Sequence, residues 1–424
     1  MKKILKSIIV FILAFLARSV LQRYKPRIVM VSGSVGKTST KDAVAAALGT
    51  KFYVRKSEKS FNSEFGVPFT ILGVGNPWND PFAWFSVLKS AVGLLILPNH
   101  YPTMLVLEVG ADRPGDLARI LRFAMPDAVV ITRMPEIPVH VEAYASPEHV
   151  REEEFSPAYA LSADASLIVP ADDPWALEAA KRIPVRILSY GMSESATARI
   201  NDIGFYITDG NVSGMQATIT IDDEQETCVV KGSVGVTQLF SLAAALVTTK
   251  AFEVPLADAL AAIDNYEAPP GRGRLLAGKN NAIIIDDSYN ASPAAVEEAL
   301  ATLKSFPNAK RRIAVLGDML ELGRFSVTEH ERIAVLAGES ADMIVTVGIR
   351  ARAFATAPKH AKVLQFDNSH TAASALSDLV RKGDVILVKG SQSIRTEHIV
   401  EALLADPSDV SKLVRQEKKW KQKL

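Results

Sequence analysis

Cysteine is nearly absent from this chain: Cys228 stands alone in 424 residues. A single thiol forms neither an internal disulfide nor a cysteine metal site, so the sequence reads as a protein of a reducing compartment, with Cys228 a buried strand residue. An excess of either charge is also missing. The 48 Lys and Arg offset 47 Asp and Glu to a net +1, which excludes a globally basic nucleic-acid binder. No internal repeat or low-complexity tract stands out. What is present is a globular composition, 48% hydrophobic and 22% charged, long enough for two or three domains.

Charge is balanced overall but not locally. Residues 1–27 hold Lys2, Lys3, Lys6, Arg18, Arg23, Lys25 and Arg27 and no acid, and from Ser411 onward Lys412, Arg415, Lys418, Lys419, Lys421 and Lys423 face only Glu417. The body between is net acidic. The apolar segment Ile4 to Ala17, interrupted by Lys6, is shorter than the ~20 residues a spanning helix needs. A span with the body in the cytosol would also leave Lys2, Lys3 and Lys6 outside, against the positive-inside tendency. No small-residue cleavage site follows, which argues against a secretory signal. The segment therefore reads as a helix resting peripherally on an anionic membrane or as one packed on the body.

From Arg27 the chain alternates β-branched runs with helical patterns, the signature of parallel sheets covered by helices. The runs at 27–32, 104–110, 128–132 and 166–170 read as buried strands, with helices around 38–48, 114–124 and 148–162. Between about 198 and 233 strict alternation, with turn signals Asp209-Gly210 and Ser213-Gly214, predicts antiparallel hairpins. Helical patterns return at 237–251 and 256–265. The proline- and glycine-rich stretch 267–274 reads as an interdomain linker. Beyond it, strands at 282–287, 311–318, 343–348, 362–366 and 384–390 predict a doubly wound, Rossmann-like domain. The fold class is thus α/β: a phosphate-loop central domain at 26–268 with a parallel sheet and appended hairpins, and a doubly wound domain at 269–405. A helix at 1–25 and a basic tail at 406–424 flank them.

The strongest local signal is Ser32-Gly33-Ser34-Val35-Gly36-Lys37-Thr38-Ser39, directly after a strand and before a helix. Glycines let backbone amides approach phosphate oxygens, the helix N-terminus favours the anion, Lys37 reaches the terminal phosphates and Thr38 can hold Mg2+. Val31 stands where the general Walker pattern has glycine, so this is a shortened phosphate loop.

The segments SGSVGKTSTK, FNSEFGVPFTIL (61–72), LEVGADRPGDL (107–117), PDAVVITR (126–133), PGRGR (270–274), DDSYNASP (286–293), RRIAVLGDMLELG (311–323) and KGSQSIRTE (389–397) follow one another in order. In these the sequence resembles the Mur ligases, most closely their D-alanyl-D-alanine-adding branch. The resemblance implies ATP and Mg2+ as cofactors, a middle domain that holds ATP and a C-terminal domain that closes over it. It further implies that Glu108, at the C-terminal end of a strand, coordinates Mg2+ alongside Thr38, that His140 serves a second metal ion, that Asp287 binds the ATP ribose, that Arg272 reaches the phosphates on closure, and that Lys389 lies near the incoming amine or the phosphates. Asn62 falls in a motif that lines the family's reaction centre.

Three departures from the family pattern stand out. The phosphate loop begins about 30 residues from the first residue, where the family has a separate domain gripping a uridine nucleotide. Glu152-Glu153-Glu154 replaces the family's Lys-x-Glu, whose lysine is carbamylated; Glu152 is expected to supply that carboxylate to the second metal. Gln238 and Ser241 replace the asparagines that flank adenine. The implied activity is formation of an acyl phosphate from a peptide or peptidoglycan-precursor carboxylate, followed by coupling to a small amine such as D-alanyl-D-alanine. Alternatives are a ligase using a non-UDP carrier or extending an amino-acid polymer, and a membrane-associated ATP-binding scaffold.

Overall fold

The computed structural model describes residues 2–58, 60–78, 80–356, 361–417 and 420, with the side chains of 2–5 and 356 outside the description. Tail lysines 418, 419, 421 and 423 therefore lie outside the described residues. Nine strands form the first sheet, in the order β2-β3-β1-β4-β5-β6-β7-β8-β9. They are β1 (Arg27–Ser32), β2 (Val54–Lys56), β3 (Met104–Glu108), β4 (Ala128–Ile131), β5 (Ser166–Pro170), β6 (Arg186–Gly191), β7 (Ala198–Thr208), β8 (Asn211–Ile221) and β9 (Glu224–Lys231). The first six run parallel and are almost wholly buried in their central members, which explains their unbroken Val/Ile/Leu runs.

β7 to β9 are the antiparallel extension that the alternating pattern predicts. Asp209 and Gly210 turn the first hairpin, both at positive φ. The second turn falls at Asp222-Asp223 rather than Ser213-Gly214, which lies inside β8. Gly214 is a glycine for another reason: a Cβ there would sit 2.0 Å from the Val230 carbonyl oxygen of the neighbouring strand.

The second sheet, ordered β10-β11-β15-β12-β13-β14, comprises β10 (Arg274–Gly278), β11 (Ala282–Asp287), β12 (Arg311–Gly317), β13 (Met343–Val347), β14 (Lys362–Phe366) and β15 (Asp384–Lys389). All neighbours are parallel except β10, an antiparallel edge strand. The Ala-rich helix Val236–Ala251 is buried along most of its length against the helix Lys37–Leu48. Its core runs on without a break into Ile285, Leu300 and Phe306 of the second unit.

Strands β2, β6 and β10 and the helices Gly66–Leu72 and Pro81–Ile96 are additions to the sequence reading. The last begins with Asp80 accepting from the Phe82 and Ala83 amides and Pro81 in the first turn. The N-terminal helix is also longer than its apolar segment suggests, running Lys2–Tyr24. From Leu13 it packs on the body: Leu13, Ala17, Val20 and Leu21 are buried, and Tyr24 stacks on Tyr101 at 4.5 Å.

Candidate active site

β1 ends at Ser32 in the middle of its sheet, and the chain turns through Gly33 (φ 119°) and Gly36 (φ 91°) into the helix Lys37–Leu48. Both φ values suit only glycine, and a Cβ on Gly33 would lie 2.4 Å from Thr132 Oγ1. The amides of Ser34 and Val35 donate to the Arg133 carbonyl at 3.1 and 3.2 Å, which fixes the loop against the end of β4. The first-turn amides at Lys37 and Thr38 have no acceptor within their own helix and point where an anion would sit.

Beneath the loop lies Glu154, buried on the helix Pro147–Tyr159. Its Oε2 accepts from Ser32 Oγ at 2.7 Å and the Gly33 amide at 3.2 Å, its Oε1 accepts from the Ala111 amide at 3.3 Å, and Lys37 Nζ is 3.7 Å away. Lys37 also donates to the Gly33 carbonyl. Ser32 is thereby turned toward Glu154, and the buried Ser39 gives its carbonyl to Tyr266 at 3.2 Å.

Glu152 does not join this group. It is half-exposed, accepts from Tyr159 Oη at 2.9 Å and lies 3.9 Å from Arg182. The reason is helical period. Two residues along a helix is about 200° of rotation, so the face that aims Glu154 inward turns Glu152 to solvent. The expectation that Glu152 replaces a carbamylated lysine at a metal is corrected accordingly.

Glu108, at the end of β3, is buried, and its Oε2 meets no hydrogen-bond partner. Burial pushes its carboxyl pKa up; the charges of Lys41, Lys37 and Arg272 and the Thr38 hydroxyl act against that rise. A buried carboxylate oxygen left open beside a phosphate-loop threonine is the donor set a hard divalent cation takes, so the residues present fit Mg2+. Among the described residues no group of three or more His, Cys, Asp and Glu side chains is assembled for a metal.

A cleft of about 640 Å³ joins Lys37, Thr38, Glu108, Asn62, His140 and Arg272. Arg272, from the glycine-rich connection, donates to Thr38 Oγ1 at 3.4 Å and lies over the Tyr289 ring at 4.2 Å. His140 meets Glu321 of the second domain at 3.0 Å and Asp112 at 3.6 Å. Burial disfavours the imidazolium, yet the hydrogen bond and charge of Glu321, with Asp112, outweigh it and raise the His140 pKa. The hydrogen bond from His140, stronger than the opposing burial, lowers the Glu321 pKa.

A smaller cleft of about 60 Å³ gathers Val35, Gly36, Ser39, Gln238, Asp287 and Lys389. Lys389 is only 2% exposed and pairs with Asp287 at 2.6 Å, its register partner across β15 and β11. Gln238 Nε2 donates to the Arg272 carbonyl at 2.8 Å, while its buried Oε1 is unpartnered. Beside it a cavity of about 650 Å³ opens between Tyr190, Met192, Trp175 and Phe240 and reaches Gly36. Glu298 of the second domain bridges both clefts by accepting from Arg133 and Thr237. Asp112, Glu298, Glu321 and Tyr289 were not singled out in the sequence, and Glu154 was named only within the run Glu152-Glu153-Glu154. Glu154 alone carried a local signal, an acid in the inward stripe Val150, Glu154, Phe155, Ala158.

Fold and cleft together define a phosphate-loop nucleotide domain capped by a doubly wound domain. The Mur ligase middle domain matches residues 31–249 and the Mur ligase glutamate ligase domain matches 271–392. The chain belongs to the Mur ligase family and is an ATP-dependent ligase forming amide bonds. It is 29% identical over 397 residues to the UDP-N-acetylmuramoyl-tripeptide--D-alanyl-D-alanine ligase of Bacillus subtilis, covering 92% of this chain and 79% of the relative. The enzyme of the same description from Mycobacterium tuberculosis is 27% identical over 409 residues, covering 89% and 73%. The crystal structure of the MurF ligase of Thermotoga maritima in complex with ADP superposes with a TM-score of 0.76 at 26% identity, over 95% of this chain and 84% of that one.

Proposed function

We propose that this protein joins the terminal carboxylate of a peptidoglycan-precursor peptide to the amine of D-alanyl-D-alanine, with ATP cleaved to ADP and phosphate. The observation that carries the reading is the convergence of Lys37, Thr38, the open carboxylate of Glu108 and Arg272 on one cleft. Residues Ser32 to Ser39 bind the triphosphate, Lys37 and Arg272 neutralising the charge that spreads over the transferring oxygens. Glu108 and Thr38 would hold Mg2+, which would supply further positive charge to the reacting phosphates. Asp287 and Gln238 hold the nucleoside. The substrate carboxylate oxygen bonds to the terminal phosphorus as the bond to ADP breaks, giving an acyl phosphate. The amine nitrogen then attacks the acyl carbon, loses a proton, and inorganic phosphate leaves.

Lys389, released from Asp287 when the ribose takes its place, is free to approach the phosphates or the amine. His140 and Glu321 hold the two walls of the cleft together. The enzyme works in the cytoplasm, with peripheral contact to an anionic membrane through residues 1–25. Phosphate release measured with UDP-N-acetylmuramoyl-tripeptide and D-alanyl-D-alanine, together and separately, tests the reading. Release that needs both, with a product of the summed mass less water, supports it. Release indifferent to either overturns it.

A further inference from the structure

The N-terminal helix is apolar on two opposite faces. Leu13, Ala17, Val20 and Leu21 are packed on the body, while Ile8, Phe11, Ile12 and Phe15, at helical spacing on the other side, look outward, Phe11 72% exposed. The helix Pro81–Ile96 repeats the arrangement: Val87 and Ala91 are buried, and Phe85, Leu88, Val92 and Ile96 form an outward stripe, Phe85 70% exposed. The two helices are in contact, and their C-terminal ends are tied together by Tyr24 Oη on the Leu94 carbonyl at 2.7 Å and by Arg23 on the Leu95 and Leu97 carbonyls. Two neighbouring helices thus each leave an apolar stripe in water, and exposed apolar surface of this kind marks protein or membrane contact sites.

From this, and resting on the membrane contact proposed above for residues 1–25, we propose that the two stripes together form a docking platform for an anionic lipid surface, with both helices lying in the plane of the interface. Three observations favour lipid. Exposed cations border the stripes, Arg18 on one helix with Lys25 just past its end and Lys89 on the other, and residues 1–27 contain no acid. The nearby acids are engaged, Asp80 in capping its helix and Glu64 with Lys6 and Arg119. Lys89 is flanked along the helix by Phe85, Leu88 and Val92. At a bilayer its long stem lets the ammonium reach headgroups, whereas an apolar protein groove would bury it without a partner.

The N-terminal helix is long and apolar enough by composition to cross a membrane over Lys6–Tyr24. Crossing would strip Leu13, Ala17, Val20 and Leu21 from the body, so the in-plane arrangement is the one that keeps the fold. Docking also sets the reaction cleft beside the bilayer. Trp78, in the loop before Pro81–Ile96, packs edge-on at 5.9 Å against Trp420, which lines the cleft.

The test is co-sedimentation of the full chain with phosphatidylcholine vesicles, with and without phosphatidylglycerol. The wild type should pellet with the anionic vesicles and much less with the neutral ones. Phe11→Ser/Phe15→Ser and, separately, Phe85→Ser/Val92→Ser should each lower the partition coefficient by about tenfold or more, since two apolar side chains are lost from the interface. Thermal melting and ATP turnover without vesicles should stay at wild-type values in both. Wild-type protein left in the supernatant overturns the proposal. So does loss of binding in the first variant with none in the second, which would assign lipid contact to the N-terminal segment alone. A concentration-dependent dimer that both variants abolish, without vesicle binding, would instead make the platform an interface between copies of the chain.

Discussion

The two walls of the reaction cleft are built differently. On the middle-domain side, Glu154, Ser32, Gly33 and Lys37 contact one another within one domain and are mostly buried, so folding alone sets their positions. On the C-terminal side, the groups that matter reach across. Arg272 contacts Thr38, Glu321 meets His140, and Glu298 accepts from Arg133 and Thr237. The first wall is preorganised before any ligand arrives; the second is assembled by closure. Damage to the first should therefore appear in kcat, and damage to the second in substrate affinity and pH dependence.

The largest expected effect is at Lys37. Lys37→Ala should lower kcat about 10²–10³-fold with the melting temperature nearly unchanged, since a cation aimed at transferring phosphate is lost and little packing with it. Turnover near wild type in that variant would remove the phosphate loop from the mechanism. Next comes Glu154→Gln, which keeps the shape but loses the charge facing Lys37 and misaligns the acceptors of Ser32 and Gly33. It should reduce kcat about tenfold and cost about 1–3 kcal/mol in denaturant unfolding. An unchanged kcat with only the stability loss would make Glu154 a purely architectural residue.

The closing wall predicts a smaller, pH-dependent effect. With its pKa raised, His140 contributes fully below its ordinary 6.5 and loses the contribution as pH rises through the raised value. With its pKa lowered, Glu321 contributes above its ordinary 4.5 and loses it as pH falls through the lowered value. Their contact therefore favours closure most between those limits and fades on either side, above the raised His140 value and below the lowered Glu321 value. Glu321→Gln should raise the KM for ATP roughly threefold at pH 6, as expected of a partly exposed pair, and leave it unchanged at pH 9. An equal effect at both values would break the link to imidazole ionisation. The smallest effect belongs to Glu152→Gln, where turnover across a magnesium titration should stay within about twofold of wild type, as for other surface changes.

The same contrast explains what the sequence disclosed. Strand, phosphate loop and helix at 27–48 are contiguous, so their chemistry was readable from one short segment. The doubly wound domain was readable because β11, β12, β13 and β15 are largely buried apolar runs with glycine or acid at or just past their ends. The pair Lys389–Asp287 was not, since 102 residues separate two side chains that only the register of β11 and β15 aligns. Glu152 was misread because family correspondence was weighed above helical period, which would have singled out the acid in the apolar stripe. Pro81–Ile96 escaped notice because a helix apolar on both faces shows no polar side from which to read its period.

The edge-on contact of Trp420 with Trp78 has an optical consequence. The chain has four tryptophans, and Trp84 donates its indole N–H to the Trp78 carbonyl at 3.0 Å, so three of the four rings gather at the junction between the lining of the cleft and the loop before Pro81–Ile96. Indole emission depends on the polarity and quenching around each ring. Displacement of the Trp420 segment as the cleft fills, or of Trp78 as the neighbouring helices meet lipid, would shift the colour and yield of intrinsic fluorescence. The enzyme thus carries a label-free reporter at the place where its two proposed surfaces adjoin.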